Sequence, residues 1–323
     1  MPVYNRYNPC CNWMINGLHF LLPNLLYMQN KVVIVTGMHR SFTSLVTQWL
    51  YKCGLHVGDN LLGANTGNDD GHFEDLDFLQ AHEALLQQRG LDISGITDHS
   101  ISTLTPGELA TLQAMVTDKN NAHEQWGWKE PRTCLFLDAY KQIIPDAFYL
   151  VVYRGYADVV SSLINRLHKA HCAKYATRND VSRFIWNKLR KRWYKHALCR
   201  KLVTGYLKVW IRYNEAILLH LAAQPADSYL VVNHALLYEN SHAVFEQLRG
   251  KWGLHLQYVE FNAVFKPLLT GNTLDIARYV KDKTLLLHAS AIENSLHSLL
   301  LHKGWMVQVI PSENSKPITR SKV

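Results

Sequence analysis

The sequence predicts a three-layer α/β domain in which helices flank a central, mainly parallel sheet. Two observations support this fold class. Branched apolar runs recur at 31–37, 147–153 and 228–232, as expected for strands that are buried on both faces. Helical patterns separate these runs, and strands that alternate with helices form a parallel sheet covered by helices. A shorter strand is expected at 126–129.

The first strand leads directly into a helix. The run KVVIVTG at 31–37 ends in glycine, and the helix is expected over 43–53, with Gly54 placed to stop it. One face of this helix is apolar, with Leu45, Val46, Trp49 and Leu50. Further helices are predicted at 183–201, 205–222, 242–252 and 285–303.

Length and composition narrow the class of protein. At 323 residues and 48% hydrophobic content, the chain can bury one sizeable core, and we expect one domain over 31–305. A net charge of +8 suits an anionic partner without identifying it. The six cysteines form no CxxC pair, so we expect reduced thiols and a cytoplasmic location. The 17 histidines include no HExxH motif, and no metal is expected.

The two ends of the chain differ from the expected domain. Residues 1–30 form an N-terminal segment whose apolar part, 13–28, is interrupted by polar residues and is shorter than the ~20 residues of a membrane span. This segment is compatible with an extra helix, with an interfacial helix that contacts a membrane surface, or with sequence that precedes the domain without being part of it. It is a poor match to a signal peptide. Residues 306–323 are polar and are expected to form a tail.

The loop at 37–44 has the position of a phosphate site. It joins the first strand to its helix, where backbone N–H groups and the helix dipole favour an anion. The candidate ligand-binding residues are Gly37, His39, Arg40, Ser41, Phe42, Thr43 and Ser44. The lettering resembles the Walker loop GxxxxGK[ST], which predicts a P-loop-type domain, but Phe42 replaces the second glycine and Thr43 the lysine. The missing lysine argues against an ATP-dependent P-loop kinase, which stays the alternative enzyme.

A second anion site is predicted at the end of another strand. Arg154 follows the apolar run at 149–153, at the strand end where open α/β sheets bind ligands. If a helix begins near Asp158, then Ser162 lies about one turn into it and can point back to Arg154. An arginine and a hydroxyl at this place would bind a second phosphate.

A phosphate loop followed by strand-Arg-x₇-Ser resembles the two-part donor signature of the PAPS-dependent sulfotransferase family. The resemblance covers residues 31 to about 270 and is closest to the bacterial and tyrosylprotein sulfotransferase-like branch, with its loop G-x-x-R-S-G-T-S. It implies that Arg40, Ser41, Thr43 and Ser44 hold the 5′-phosphosulfate of 3′-phosphoadenosine-5′-phosphosulfate (PAPS). It also implies that Arg154 and Ser162 hold the 3′-phosphate and that the product is adenosine 3′,5′-bisphosphate (PAP). No metal is expected here, because a sulfuryl group carries less charge than a phosphoryl group.

The sequence departs from this signature at Phe42, where the family has glycine. A positive φ strains the backbone of phenylalanine, and the side chain does not let a phosphate approach as closely as glycine does. Besides a sulfotransferase and a kinase, the third hypothesis is therefore a non-catalytic module that binds an adenine bisphosphate.

Two segments resemble the catalytic parts of the same branch. Residues 71–77 are similar to the GxFED segment, which implies Glu74 as the base, with His72 as a rival. Residues 126–132 are similar to W-K-D-P-R, which implies that Lys129 lies near the sulfonate. The structural alternatives are that the carboxylates at 74, 75 and 77 cap a helix and that Lys129 forms a surface pair with Glu130.

The acceptor is not identified by the sequence. A hydroxyl or amine of a glycan, lipid, small molecule or peptide is equally compatible with it. The sequence predicts no oligomeric state. The basic stretch 183–201 is either a solvated helix or the rim of a site for an anionic substrate. No nucleic-acid-binding motif accompanies it, so no nucleic acid is expected.

Overall fold

The computed structural model describes residues 30–63, 71–265 and 273–301. Four parallel strands form one sheet in the order β2–β1–β3–β4 within these ranges. The strands are β1 (Lys31–Thr36), β2 (Gln125–Lys129), β3 (Phe148–Val152) and β4 (Tyr229–Val232). The predicted fold class and all four predicted strands are confirmed. The segments 1–29 and 306–323, for which an apolar segment and a tail were expected, lie outside the described residues.

Nine helices accompany the sheet in the described ranges. They are α1 (Thr43–Lys52), α2 (Leu76–Gln88), α3 (Pro106–Ala122), α4 (Leu137–Ile143), α5 (Tyr156–Ala176), α6 (Asp180–Ile185), α7 (Lys191–Ala222), α8 (His234–Gly250) and α9 (Lys283–Leu301). The predicted end of α1 is confirmed, because Gly54 follows it with φ 100°.

The sequence predicted two helices, 183–201 and 205–222, and the predicted break between them is wrong. Residues 191–222 form one continuous helix, α7, and Gly205 lies inside it. A five-residue π-helical turn, Trp186–Arg190, joins α6 to α7. Glycine weakens a helix by about 1 kcal/mol, and packing of α7 against both α5 and α9 outweighs that cost.

The prediction for α8 was too short. This helix begins at His234, where the Asn233 side chain accepts a hydrogen bond from the Leu236 N–H, and it bends at Asn240, whose φ of −135° is not helical. The core lies between the sheet and these helices, and its largest buried side chains include Trp49, Trp128 and Trp210. Within the described ranges, no helix is both long and apolar enough to cross a membrane.

Candidate active site

The loop at 37–44 lies at the carboxyl edge of the sheet, between β1 and α1. A Cβ on Gly37 would lie 2.2 Å from the carbonyl oxygen of Val152, so only glycine lets the ends of β1 and β3 approach this closely. Arg40 and Phe42 have left-handed backbones, with φ of 70° and 68°. The chain thereby turns tightly into α1, whose first N–H groups have no partner inside the helix and favour an anion.

The two predicted anion-binding halves meet at Arg40. Its Nε donates to Ser162 Oγ at 3.0 Å, and its carbonyl oxygen accepts a hydrogen bond from Arg154 Nη1 at 3.2 Å. The sequence resemblance assigned Arg40 to the first half alone. The structure shows that Arg40 bridges both halves, because α5 begins at Tyr156 and carries Ser162 about two turns inward.

Positive charge is concentrated at this junction. Burial lowers the pKa of Arg40, and the nearby cations Arg166 and Arg154 lower it further. Burial also lowers the pKa of Arg154, and the carboxylate of Asp158, which forms an ion pair with its Nε at 3.8 Å, opposes that shift. At this distance the Nε makes no hydrogen bond to any described residue. Cations that are buried without full compensation destabilise the site, and a bound anion would offset that cost.

Phe42 supports Arg154. The guanidinium carbon of Arg154 lies 4.5 Å from the centroid of the Phe42 ring, and the ring of His234 lies 4.8 Å from the same ring. A left-handed backbone costs a residue with a Cβ about 1–2 kcal/mol. A cation–π contact in a partly desolvated place contributes about 1–2 kcal/mol, which is comparable with the strain.

Lys129 and Glu74 form the second centre of the site. Lys129 ends β2 and is only 1% exposed, and its Nζ donates to Glu74 Oε1 at 2.7 Å and to Ser44 Oγ at 3.1 Å. Burial lowers the pKa of Lys129, and the charge of Glu74 opposes that shift. The surface pair of Lys129 with Glu130 is therefore wrong.

The helix-cap alternative is wrong for Glu74 and is confirmed for Asp75. Asp75 is the residue that caps α2, since its carboxylate accepts a hydrogen bond from the Asp77 N–H at 2.8 Å. Glu74 is left to pair with Lys129 beside the loop. The two neighbouring carboxylates therefore have different tasks.

A cleft of about 570 Å³ opens beside these groups. Its lining combines titratable and apolar side chains, among them His39, His72, Glu74, Arg132, Arg166 and Tyr206. Burial lowers the pKa of His39 to about 3, with a further lowering by Arg132, and its Nε2 is buried without a hydrogen-bond partner among the described residues. Burial also lowers the pKa of His72, against the opposite effect of Glu74. Both imidazoles are neutral at pH 7.

A buried network that the sequence analysis missed holds the wall of the cleft. Glu130, which is 0% exposed, accepts a hydrogen bond from Arg132 Nη1 and pairs with His82 Nδ1 at 2.6 Å. His82 Nε2 contacts the Tyr140 hydroxyl at 2.8 Å. Burial alone would raise the pKa of Glu130, but His82 and Arg132 lower it. The segment WKEPR contained this signal, because a buried carboxylate requires a cationic partner.

One group of side chains in the described part of the chain has ligand atoms close enough to hold a metal. His56, Asp59 and His123 lie together, and the Nε2 atoms of both histidines are 3.2 Å from Asp59 Oδ1. The spacing in sequence did not reveal this group. It lies beside Trp126 at the start of β2, away from the loop at 37–44.

Comparison with solved structures identifies the fold. Sulfotransferase STF9 from Mycobacterium avium superposes with a TM-score of 0.52 at 12% identity, over 82% of this chain and 76% of that chain. This chain has a sulfotransferase fold. The sulfotransferase domain of the Synechococcus PCC 7002 olefin synthase gives a TM-score of 0.44 at 16% identity, over 83% and 95% of the two chains. No protein-family model and no curated protein matches the sequence.

The sulfotransferase fold thus brings the predicted site residues into two neighbouring groups. Arg40, Arg154 and Ser162 form the first group, and Glu74 with Lys129 forms the second. Ser44 connects the second group to the loop, and His72 faces the same cleft as Glu74.

Proposed function

We propose that this chain is a PAPS-dependent sulfotransferase that transfers a sulfuryl group to a hydroxyl or amine of an acceptor. The observation that supports the proposal most strongly is the contact of one loop, 37–44, with two separate centres. Arg154 donates to the loop at Arg40, and Lys129 donates to it at Ser44. A donor with two anionic ends fits this arrangement better than a donor with one.

The residues at the junction fit the two phosphate positions of such a donor. Arg154 has a buried Nε without a hydrogen bond among the described residues, and Arg40 is a second buried cation beside Ser162. Charge-assisted hydrogen bonds from these arginines would hold a 3′-phosphate. The N-terminus of α1 and the hydroxyls of Ser41, Thr43 and Ser44 would hold the 5′-phosphosulfate.

The second centre supplies the proton chemistry. PAPS, when bound, supplies the sulfuryl group, which leaves its 5′-phosphate oxygen for the acceptor oxygen. Glu74 would accept the proton that the acceptor hydroxyl loses. Lys129 donates to Glu74 at 2.7 Å and contacts the loop through Ser44, so we assign it to the negative charge that would develop on the leaving oxygen.

The kinase alternative requires the Walker lysine, which this loop does not contain. Thr43 stands where the Walker lysine stands, and Lys129, a nearby lysine, is paired with Glu74. A triphosphate also needs Mg²⁺ to neutralise its charge, which a phosphosulfate requires less, because the transferred sulfuryl group carries less charge than a phosphoryl group. ATP is therefore the less favoured donor.

A labelled-sulfate transfer screen tests the proposal. The full chain is incubated with sulfur-labelled PAPS and fractionated cell extract, and transferred label is read by mass. Label in an acceptor that depends on active protein supports the proposal. Tight PAP binding without transfer or donor hydrolysis would instead support a non-catalytic module.

A further inference from the structure

Large apolar side chains are exposed along one short helical stretch, from α6 to the start of α7. Val181 is 69% exposed, Phe184 62%, Leu189 64% and Trp193 77%. No other stretch of this length in the described residues exposes as many large apolar side chains. Contiguous exposed apolar side chains mark an interaction surface, whereas single ones do not.

The opposite face of this stretch is fixed to the protein. Trp186 is 3% exposed and stacks on Tyr175 of α5, with ring centroids 4.2 Å apart. Tyr194 stacks on His171 of α5 at 3.9 Å. These two contacts fix the orientation of the stretch, so its apolar outer face is held towards the outside.

The π-helical turn at Trp186–Arg190 produces this outer face. In a regular α-helix, a residue seven positions after Trp186 would return to the same face within about 20°. Trp193 would then point inward. The wider turn takes up one extra residue, so Tyr194 is the residue that packs inward and Trp193 is exposed. Such turns are frequently found at functional sites.

Cations surround the exposed apolar side chains. They are Arg183, Lys188, Arg190, Lys191, Arg192 and Lys195. Arg183 is paired with Asp180, and the sequence contains no other acidic residue until Glu215. The stretch therefore combines an apolar face with a high density of positive charge.

We propose that residues 180–195 form a docking surface for a lipid bilayer that contains anionic lipids. Aromatic and aliphatic side chains on one face, flanked by Lys and Arg, are typical of helices that lie in the membrane interface. Trp193 suits the headgroup level, and each flanking cation is attracted by an anionic leaflet. Nucleic acid fits less well, because the aliphatic side chains Val181 and Leu189 cannot stack on bases.

Vesicle co-sedimentation of the full chain tests the proposal. Wild type should sediment with phosphatidylcholine vesicles that contain phosphatidylserine and stay in solution with phosphatidylcholine alone. Combined Phe184→Ser, Leu189→Ser and Trp193→Ser should weaken sedimentation by more than about tenfold, since three apolar contacts are lost. A matched control, Tyr51→Ser with Leu219→Ser and Leu287→Ser, changes equally exposed side chains elsewhere and should bind as wild type.

Charge reversal provides the second arm. Lys188→Glu with Arg192→Glu should abolish the dependence on phosphatidylserine, and Arg249→Glu with Lys251→Glu should not. Unchanged circular dichroism melting shows that each variant folds. The proposal is overturned if the apolar triple variant sediments like wild type, which would point to residues 13–28 instead. Binding of single-stranded RNA without vesicle binding would also overturn it.

Discussion

The guanidinium of Arg154 lies 4.5 Å from the ring of Phe42, a residue whose backbone is left-handed at φ 68°. Glycine would adopt this backbone conformation without strain. Phe42 therefore strains the backbone, while its ring stabilises the guanidinium of Arg154 through a cation–π contact. Arg154 is the residue that we assign to the 3′-phosphate. Phe42 is therefore a positioning residue in our account, and it acts through Arg154.

Phe42→Leu should weaken PAP binding by about 5- to 30-fold, because the cation–π contact of about 1–2 kcal/mol is lost. Binding of AMP, which has no 3′-phosphate, should stay close to wild type in calorimetry. Phe42→Gly should lose PAP affinity to a similar degree without raising the free energy of unfolding, because the removal of the left-handed strain is offset by the loss of the ring contacts. An equal loss of PAP and AMP affinity in Phe42→Leu would show that the ring supports the whole loop.

Glu74 and Lys129 should give different kinetic signatures. Glu74→Gln should lower kcat by about 10²–10⁴-fold and leave PAP affinity nearly intact, because a positioned base acts in turnover alone. Lys129→Ala should lower kcat and weaken donor binding as well, since a cation near the sulfonate attracts the bound donor and the developing charge.

His72→Ala is the control for the assignment of the base. Its imidazole is neutral at pH 7 and faces the same cleft as Glu74. Near-full turnover in Glu74→Gln, together with loss of turnover in folded His72→Ala, would transfer the base role to His72.

Turnover should not require a divalent metal. The group of His56, Asp59 and His123 lies beside Trp126, three residues before Lys129 along β2, which is about 10 Å in a strand. A metal at that distance cannot reach the transferring group. Transfer rates should therefore be equal in EDTA and in Mg²⁺, and complete loss in EDTA with recovery on Mg²⁺ would refute the metal-free mechanism.

The start of α3 should contribute pH-dependent stability. The carboxylate of Glu108 pairs with Arg89 at 2.7 Å and accepts a hydrogen bond from the Thr105 N–H, and these contacts lower its pKa to about 2. A lowered pKa means that the contribution is present above the ordinary value of about 4.3 and is lost as pH falls towards 2.

Glu108→Gln should therefore lower the free energy of unfolding at pH 7 by about 1 kcal/mol, the typical value of a helix cap. In urea denaturation, the difference from wild type should shrink below about pH 4.3. The exposed carboxylate of Glu246 gives the matched control, Glu246→Gln. A difference that is constant from pH 7 to pH 3 would contradict the assignment.

The sequence predicted correctly those strands and helices that a local residue pattern defines. The strands were found because each is a short apolar run that both faces of the sheet bury, and α1 was found because its apolar face and Gly54 define it. The break near Gly205 was predicted wrongly, because helix propensity is local whereas α5 and α9 stabilise α7 from outside its sequence.

Several residues that the sequence singled out lie together in the structure, but the sequence did not predict their pairings. Lys129 was placed near the loop by the resemblance, but its pairing with Glu74 joins residues 55 positions apart. The bridging role of Arg40 depends on a contact with Ser162 of α5, a residue 122 positions away in the sequence. Arg166 was missed, although its spacing of four from Ser162 places both on one face of α5.

The preference of the site for a 3′-phosphate is the most direct test of the account. Calorimetry of the full chain without metal compares PAP with AMP and ATP, and wild type should bind PAP far more tightly than either. Arg154→Ala should cost about 1.5–3 kcal/mol of PAP binding, the scale of a charge-assisted hydrogen bond, with little change for AMP. Equal or tighter binding of ATP by wild type would contradict the account and support a kinase.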